Sequence, residues 1–187
     1  PMFAVEFEGL ASSKMSMHRM KDLVPGMVLQ STPFDVRKST MALFMVEVLY
    51  RLVGESEANE PLFDFVYNSV KVLDEIDEGV ANFHLWFLAN LSRYLGYFPG
   101  NEHAKGCWFD MREGLYVATM PMHNHTMNVE EAELLRDLTE CDLEFLGEIP
   151  LNREQRVAML SRLVEYYSIH LEAIRSVRSI EILQEVF

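Results

Sequence analysis

The feature that most constrains the fold is a change in the spacing of apolar residues after the Pro25-Gly26 turn. In residues 1–20 apolar and polar residues alternate with a period of two, which is typical of half-buried β-strands. After residue 31 the apolar residues recur at spacings of three and four, which predicts amphipathic helices. The chain is therefore predicted to be mostly α-helical, with a short β segment in front of the helices.

The β segment is predicted to be a hairpin, with strands at residues 1–10 and 14–20 and a turn between them. An isolated hairpin is at best marginally stable in water. The chain also opens with Pro1 already inside a strand pattern. We therefore expect residues 1–28 to be the remnant of a larger N-terminal β domain.

Six helices are predicted in residues 31–187, and they begin after Pro33, at Pro61, at Val80, after Asn128, at Arg153 and at Ser179. The third, Val80 to Tyr97, is apolar on most of its circumference and is expected to be the most buried. Asn128 and Asn152 are of the residue type that caps helix N-termini. The fifth helix is predicted to end at Ile174 and the sixth at Phe187.

A short hairpin is predicted between the third and fourth helices, in an insertion at about residues 99–127. Its strands are expected at residues 108–109 and 115–118, on either side of the Arg112-Glu113-Gly114 turn. Residues 120–128 are predicted to be irregular. The C-terminal part of the chain is thus one helical domain, residues 31–187, that carries a small β insertion.

Composition and charge exclude several classes of protein. The 187 residues are 49% hydrophobic and 24% charged, which excludes disorder. The net charge is −13, but residues 1–51 hold six Lys/Arg against five Asp/Glu, while residues 52–149 hold five against nineteen. A polyanion is therefore not excluded at the N-terminal third. Two cysteines, no leader pattern and no apolar run of roughly 18 residues predict a cytoplasmic protein without a membrane span.

Motifs of catalysis are missing from the sequence. It contains no glycine-rich phosphate loop, no nucleophile elbow and no paired histidines at metalloprotease spacing. Its acidic pairs, such as Asp74-Glu75 and Glu130-Glu131, are placed at helix ends, where solvation and capping account for them. No enzyme is indicated.

One group has metal-binding residue types around the inserted hairpin: His103, Cys107, His123 and His125. His and Cys are zinc ligands, and a hairpin can bring them together. Their spacing is not a recognised zinc pattern, and the alternative is a set of loop histidines beside a free cysteine. We expect no bound metal and no cofactor.

The N-terminal hairpin is predicted to carry the DNA-binding residues Lys14, His18, Arg19 and Lys21. Phosphate neutralisation supplies much of the affinity of nucleic-acid-binding proteins, so a basic strand edge suits a DNA backbone. The partner strand carries Glu6 and Glu8, so cross-strand pairing is an equally good explanation of the same charges.

Five strings in the helical part, taken in order, resemble the recombination protein O (RecO) family in the form found in Bacteroides-like bacteria. They are MALFMVEVLYR at 41–51, EPLF at 60–63, GVANFHL at 79–85, LSRYLGYFP at 91–99 and FDMREGLY at 109–116. The resemblance covers essentially the whole chain.

The resemblance implies an N-terminal OB-fold and an α-helical C-terminal domain, with a zinc ribbon inserted after the turn at residues 95–99. Residues 1–28 would be the last OB strands, and residues 99–127 a degenerate, zinc-ribbon-like hairpin. The family often has two Cys-x-x-Cys pairs here, whereas this sequence has only Cys107. The departure agrees with the expectation of no metal.

The resemblance also implies a function, that of a non-enzymatic mediator of DNA repair and recombination, acting in the cytoplasm at the nucleoid. Such a protein binds single- and double-stranded DNA, mainly through its N-terminal domain, and anneals complementary strands. It joins RecR and helps RecA replace single-strand-binding protein. The alternative is a helical protein-interaction module without nucleic-acid affinity, which the acidic middle would suit.

In the family the helical domain receives the acidic, Phe-ended tail of single-strand-binding protein. Such a tail needs an apolar pocket with a basic rim. Basic residues are scarce in this domain, and Arg93 and Arg51, beside Tyr94 and Tyr50, are the candidates. The alternative interpretation is that both are ordinary solvent-exposed or salt-bridged arginines.

Overall fold

The computed structural model describes residues 2–10, 19–53 and 59–186, and gives only the backbone for residues 184–186. Within these ranges it contains six α-helices: α1 (Val36–Leu52), α2 (Glu60–Glu75), α3 (Phe83–Leu95), α4 (Val129–Glu140), α5 (Arg153–His170) and α6 (Ser179–Val186). Short 3-10 turns lie at Val80–Asn82, Leu143–Glu148 and Glu172–Ser176. The prediction of a mostly helical chain is confirmed. None of the helices in the described ranges is both long and apolar enough to cross a bilayer.

The N-terminal sheet is an antiparallel pair of strands, β1 (Val5–Leu10) and β2 (Arg19–Pro25). The predicted position of the second strand, residues 14–20, is wrong in its C-terminal boundary, and residues 11–18 lie outside the described ranges. The pairing of Pro25 with Val5 carries β2 five residues further than the alternating pattern indicated. Every residue of both strands is exposed.

The central helix is α3, as predicted. Phe83, Phe87 and Leu91 are fully buried, and the helix packs against α1, α2, α4 and α5. It is entered through the 3-10 turn at Val80–Asn82 and so begins later than the predicted Val80. It ends at Gly96, whose φ of 82° is a left-handed conformation that glycine adopts without a Cβ penalty.

The inserted sheet has three short strands in the order β4-β3-β5: β3 (Trp108–Asp110), β4 (Leu115–Val117) and β5 (Thr126–Met127). The hairpin of β3 and β4 is where the sequence predicts it. The prediction that residues 120–128 are irregular is wrong for β5, because a two-residue strand is too short to show a period. Phe109, Met111 and Met127 are fully buried, so this sheet is part of the core.

The helices α4 and α5 begin as predicted, each with a capping box. Asn128 exchanges hydrogen bonds with Glu131, and Asn152 does so with Gln155. The predicted end of α5 at Ile174 is wrong: Leu171 is extended, and a 3-10 turn follows it. The error arises because Ile174, a buried residue of the 3-10 turn, lies three residues after the apolar Leu171, and this spacing also fits a helix.

The connection between the N-terminal sheet and the helices is fixed by Asp74, at the end of α2. Its carboxylate accepts the backbone N–H groups of Gln30 at 2.7 Å, Ser31 at 2.9 Å and Thr32 at 2.7 Å. The buried Lys38 donates from Nζ to Ser31 Oγ and to the carbonyl oxygen of Asp74. Burial alone raises the pKa of Asp74, but the N–H donors outweigh it and lower that pKa to about 2.

Candidate partner-binding site

Two cavities lie on either side of Arg93, near the C-terminal end of α3. The first has a volume of about 540 Å³ and lies between α2, α3 and the segment that follows α4. Phe65, Trp86 and Tyr94 supply its aromatic side chains. The predicted pair of Arg93 and Tyr94 is therefore found in a single cavity.

The aromatic wall of the first cavity is held in place by packing. Phe65 stacks on Tyr94 with ring centroids 4.8 Å apart and contacts Trp86 at 5.6 Å. Trp86 donates from Nε1 to the carbonyl oxygen of Cys141 at 3.1 Å. This wall can take an apolar side chain of a ligand without rearrangement.

Arg93 itself is exposed, and its guanidinium carbon lies 3.6 Å from the centroid of the Phe98 ring. It forms no ion pair with any residue that the structure describes. A guanidinium that stacks on an aromatic ring keeps the N–H groups at its edge free for an acceptor. Acidic residues also stand around the first cavity, namely Asp64, Glu140 and Asp142. The opening therefore carries both signs of charge.

The second cavity has a volume of about 320 Å³ and shares Arg93, Thr139 and Glu140 with the first. Its other walls are residues 98–103, Tyr116 of β4 and Arg136 of α4. The sequence did not reveal this cavity, because the residues of its walls lie up to 47 positions apart in the chain. The Arg93-Phe98 stack depends on the left-handed turn at Gly96, which a spacing pattern does not reveal.

Arg51, the other predicted arginine, lies at the end of α1 and lines neither cavity. Its guanidinium carbon is 5.7 Å from the Tyr50 ring centroid. Because Arg51 lines neither cavity, it is not part of the site that Arg93 borders. Glu47, four residues before Arg51 on α1, accepts the backbone N–H groups of Arg178 and Ser179 at 3.0 and 2.8 Å. Glu55 and Glu57, which follow Arg51 closely in the sequence and could neutralise its charge, lie outside the described residues.

Of the four predicted DNA-binding residues, Lys14 and His18 fall in the segment that the structure does not describe. Arg19 and Lys21 are exposed on β2. Lys21 is directly opposite Glu8, whereas Arg19 is opposite Leu10. The register therefore suits cross-strand pairing for Lys21 but not for Arg19.

The four candidate metal-binding residues have separate surroundings. His103 packs edge-on against Tyr116, and Cys107 is buried. His123 Nε2 is 3.2 Å from a carboxylate oxygen of Asp110, and His125 Nδ1 is 3.0 Å from one of Glu165. Across residues 2–10, 19–53 and 59–186, no three His, Cys, Asp or Glu side chains lie close enough to hold a metal ion.

Comparison with known proteins gives consistent matches. The family model described as "Recombination protein O C terminal" matches residues 33–178. The DNA repair protein RecO of Phocaeicola vulgatus is 33% identical over 188 residues, which cover all of this chain and 78% of the relative. Its counterpart in Bacteroides fragilis is 34% identical over 189 residues, with 78% of the relative covered. That of Flavobacterium psychrophilum is 31% identical over 188 residues, with 77% covered. No solved structure matches the chain.

Proposed function

The chain belongs to the recombination protein O family of DNA repair proteins, and from this premise we propose that it acts as a recombination mediator. The family is not one of enzymes, so the prediction that the chain is not an enzyme is confirmed. In the proposed role the protein binds single- and double-stranded DNA and anneals complementary strands. It works with RecR and helps RecA replace single-strand-binding protein, in the cytoplasm and at the nucleoid.

We propose a division of labour along the chain. Residues 1–28 are the last strands of an OB-fold that holds DNA, and residues 31–187 are the helical domain that holds protein partners. The exposed cations Arg19 and Lys21 on β2 support the first half of the proposal. The excess of acidic residues in the middle of the chain supports the second, because a strongly acidic surface repels phosphate.

For the helical domain we propose the Phe-ended tail of single-strand-binding protein as the partner. The phenyl ring of the tail enters the cavity walled by Phe65, Trp86 and Tyr94, and its terminal carboxylate binds Arg93. The observation that carries this proposal is the stacked, unpaired guanidinium of Arg93 at the edge of an aromatic cavity. The nearby carboxylates of Glu140 and Asp142 disfavour the acidic residues of the tail, so only its last residue is expected to enter.

The acidic middle of the chain also favours the second candidate function, a protein-interaction module without nucleic-acid affinity. Titration of the chain into labelled single-stranded DNA at about 50 and about 200 mM salt separates the two. The mediator proposal predicts binding that weakens steeply with salt, since condensed counterions are released on phosphate contact. Absence of binding at the lower salt concentration would favour the interaction module.

A further inference from the structure

The second cavity, between residues 98–103, β4 and α4, has a polar lining of mixed sign. Arg93 and Arg136 contribute two positive charges, and Glu102 and Glu140 contribute two negative charges. Arg136 is already paired with Asp137, to which its Nε and Nη2 donate at 3.1 and 2.5 Å. With Arg136 neutralised by Asp137, the lining offers hydrogen-bond donors and acceptors and has a small excess of negative charge.

Two buried polar atoms near the cavity have no hydrogen-bond partner among the described residues: the Tyr116 hydroxyl and His103 Nε2. Tyr116 is only 7% exposed, and its ring meets the His103 ring edge-on at 5.0 Å. Burial raises the pKa of Tyr116 above its ordinary value, and the charge of Glu140 adds to the increase, so the hydroxyl remains a donor. An unsatisfied buried hydroxyl destabilises a fold, so an acceptor that a ligand of this cavity brought to Tyr116 would restore a hydrogen bond.

One side of the cavity is formed by a stacked pair of side chains. The Arg93 guanidinium lies over one face of Phe98, with Pro99 next in the chain. Guanidinium planes and aromatic rings are the surfaces on which proteins stack unpaired nucleobases. The volume of about 320 Å³ suits one base with its sugar, and not a longer segment.

We propose that this cavity binds one unpaired nucleobase of single-stranded DNA, which stacks on the outer face of the Arg93 guanidinium, with Phe98 behind it, and directs its polar edge toward Tyr116, His103 and Arg136. The inference rests on the proposed DNA binding and adds a contact in the helical domain to the phosphate contacts of β2. Because Arg93 borders both cavities, a base in the second cavity and a peptide carboxylate in the first compete for it.

The charges favour a base over a phosphate or a carboxylate. An anion in this cavity would meet Glu102 and Glu140 as well as the two arginines, one of which is already paired. A base has donors and acceptors along one edge and no charge, so carboxylates can accept from its amino groups while the other residues donate to its ring nitrogens and carbonyls.

The test is a titration of the chain into a labelled oligonucleotide of deoxycytidines with one central 2-aminopurine, at several salt concentrations. Tyr116→Phe removes only the hydroxyl, and Arg93→Lys keeps the charge but loses the planar stacking surface. The matched controls are Tyr50→Phe, at a tyrosine that is 78% exposed on α1, and Arg112→Lys, on the exposed turn of the inserted hairpin.

We expect about fivefold weaker binding for Tyr116→Phe and about tenfold weaker binding for Arg93→Lys, with lost quenching of 2-aminopurine and an unchanged salt slope. Both controls should bind as the parent does. Tyr116→Phe should also unfold at the same or a higher temperature, because it removes an unsatisfied buried group; a hydroxyl with only a structural role would lower that temperature.

Three outcomes would overturn the inference. If the parent binds the oligonucleotide and both cavity variants bind equally well, the base site fails while the proposed DNA binding stands. If Arg93→Lys binds like the parent and Arg93→Gln lowers the salt slope by about 0.7, the cavity holds a phosphate. If the parent does not bind at any salt concentration, the proposed DNA binding fails together with the base site.

Discussion

The two small sheets of this protein are built alike but lie in opposite environments. Both are antiparallel and short, and both carry aromatic residues. Phe7 of β1 is 50% exposed, whereas Phe109 of β3 is completely buried between Tyr116 and Tyr166, with ring centroids 5.0 and 5.3 Å away. The difference in burial arises from what each sheet packs against, and not from the strands themselves.

Each sheet is also attached to the helices in a different way. The inserted sheet is continuous with the core, and His170 of α5 forms a 2.9 Å hydrogen bond with the carbonyl oxygen of Met111. The N-terminal sheet is joined to α1 through a connecting segment that two residues of α2 hold in place. Asp74 accepts hydrogen bonds from three backbone N–H groups of this segment, and the Tyr67 hydroxyl donates to the carbonyl oxygen of Gly26. The stability of the helical domain should therefore depend on the inserted sheet and hardly on β1.

The largest expected effect is that of Phe109→Ala. Loss of a fully buried Phe side chain removes its contacts and leaves a cavity, which should lower the free energy of unfolding by about 3 to 5 kcal/mol. The matched variant Phe7→Ala, on the exposed sheet, should change it by less than about 0.5 kcal/mol. Urea unfolding followed by circular dichroism measures both. Equal losses in the two variants would contradict the contrast between the sheets.

The next effect concerns the connection itself. The pKa of Asp74 is lowered to about 2 in the folded state from an ordinary value of 3.8, so its ionised form stabilises the fold. This contribution, about 2 kcal/mol, is present above pH 4 and is lost as the pH falls toward 2. Asp74→Asn should remove this contribution at neutral pH, and the free energy of unfolding should then fall less steeply as the pH drops below 4.

The exposed Asp77, in the turn that follows α2, provides the control for this variant, since Asp77→Asn should leave the profile unchanged. Thermal unfolding at a series of pH values from about 2 to about 7 supplies the measurement. If stability falls equally steeply at low pH in Asp74→Asn and in the parent, Asp74 does not hold the connection.

The smallest effect is expected on β2, where stability should hardly change but DNA binding should. Replacing Arg19 and Lys21 together by Gln should reduce the slope of log affinity against log salt by about 0.7 for each lost phosphate contact on single strands. The loss should be the same for every DNA sequence. An unchanged slope in a folded variant would favour the cross-strand pairing of Lys21 with Glu8 instead.

The parts of the fold that the sequence predicted are those determined locally. Asn128 and Asn152 mark helix starts because a cap is made within three residues. The end of α5 and the strand β5 were missed because long-range packing decides them. Tyr94 and Arg93 line one cavity because they are adjacent on α3, and their binding of a partner stays a prediction. Phe87 and Leu91, on the same helix, are fully buried in the core and do not line that cavity.

The central claim is that the helical domain meets its protein partner at Arg93. Calorimetric titration of an acidic, Phe-ended tail peptide into the parent and into Arg93→Ala tests it most directly, with Arg51→Ala as the matched control. We expect the parent to bind, Arg93→Ala to lose about 1.5 to 3 kcal/mol of binding free energy, roughly ten- to a hundredfold in affinity, and Arg51→Ala to bind as the parent does. Full affinity in Arg93→Ala would contradict the site, and absence of binding by the parent would contradict the partner.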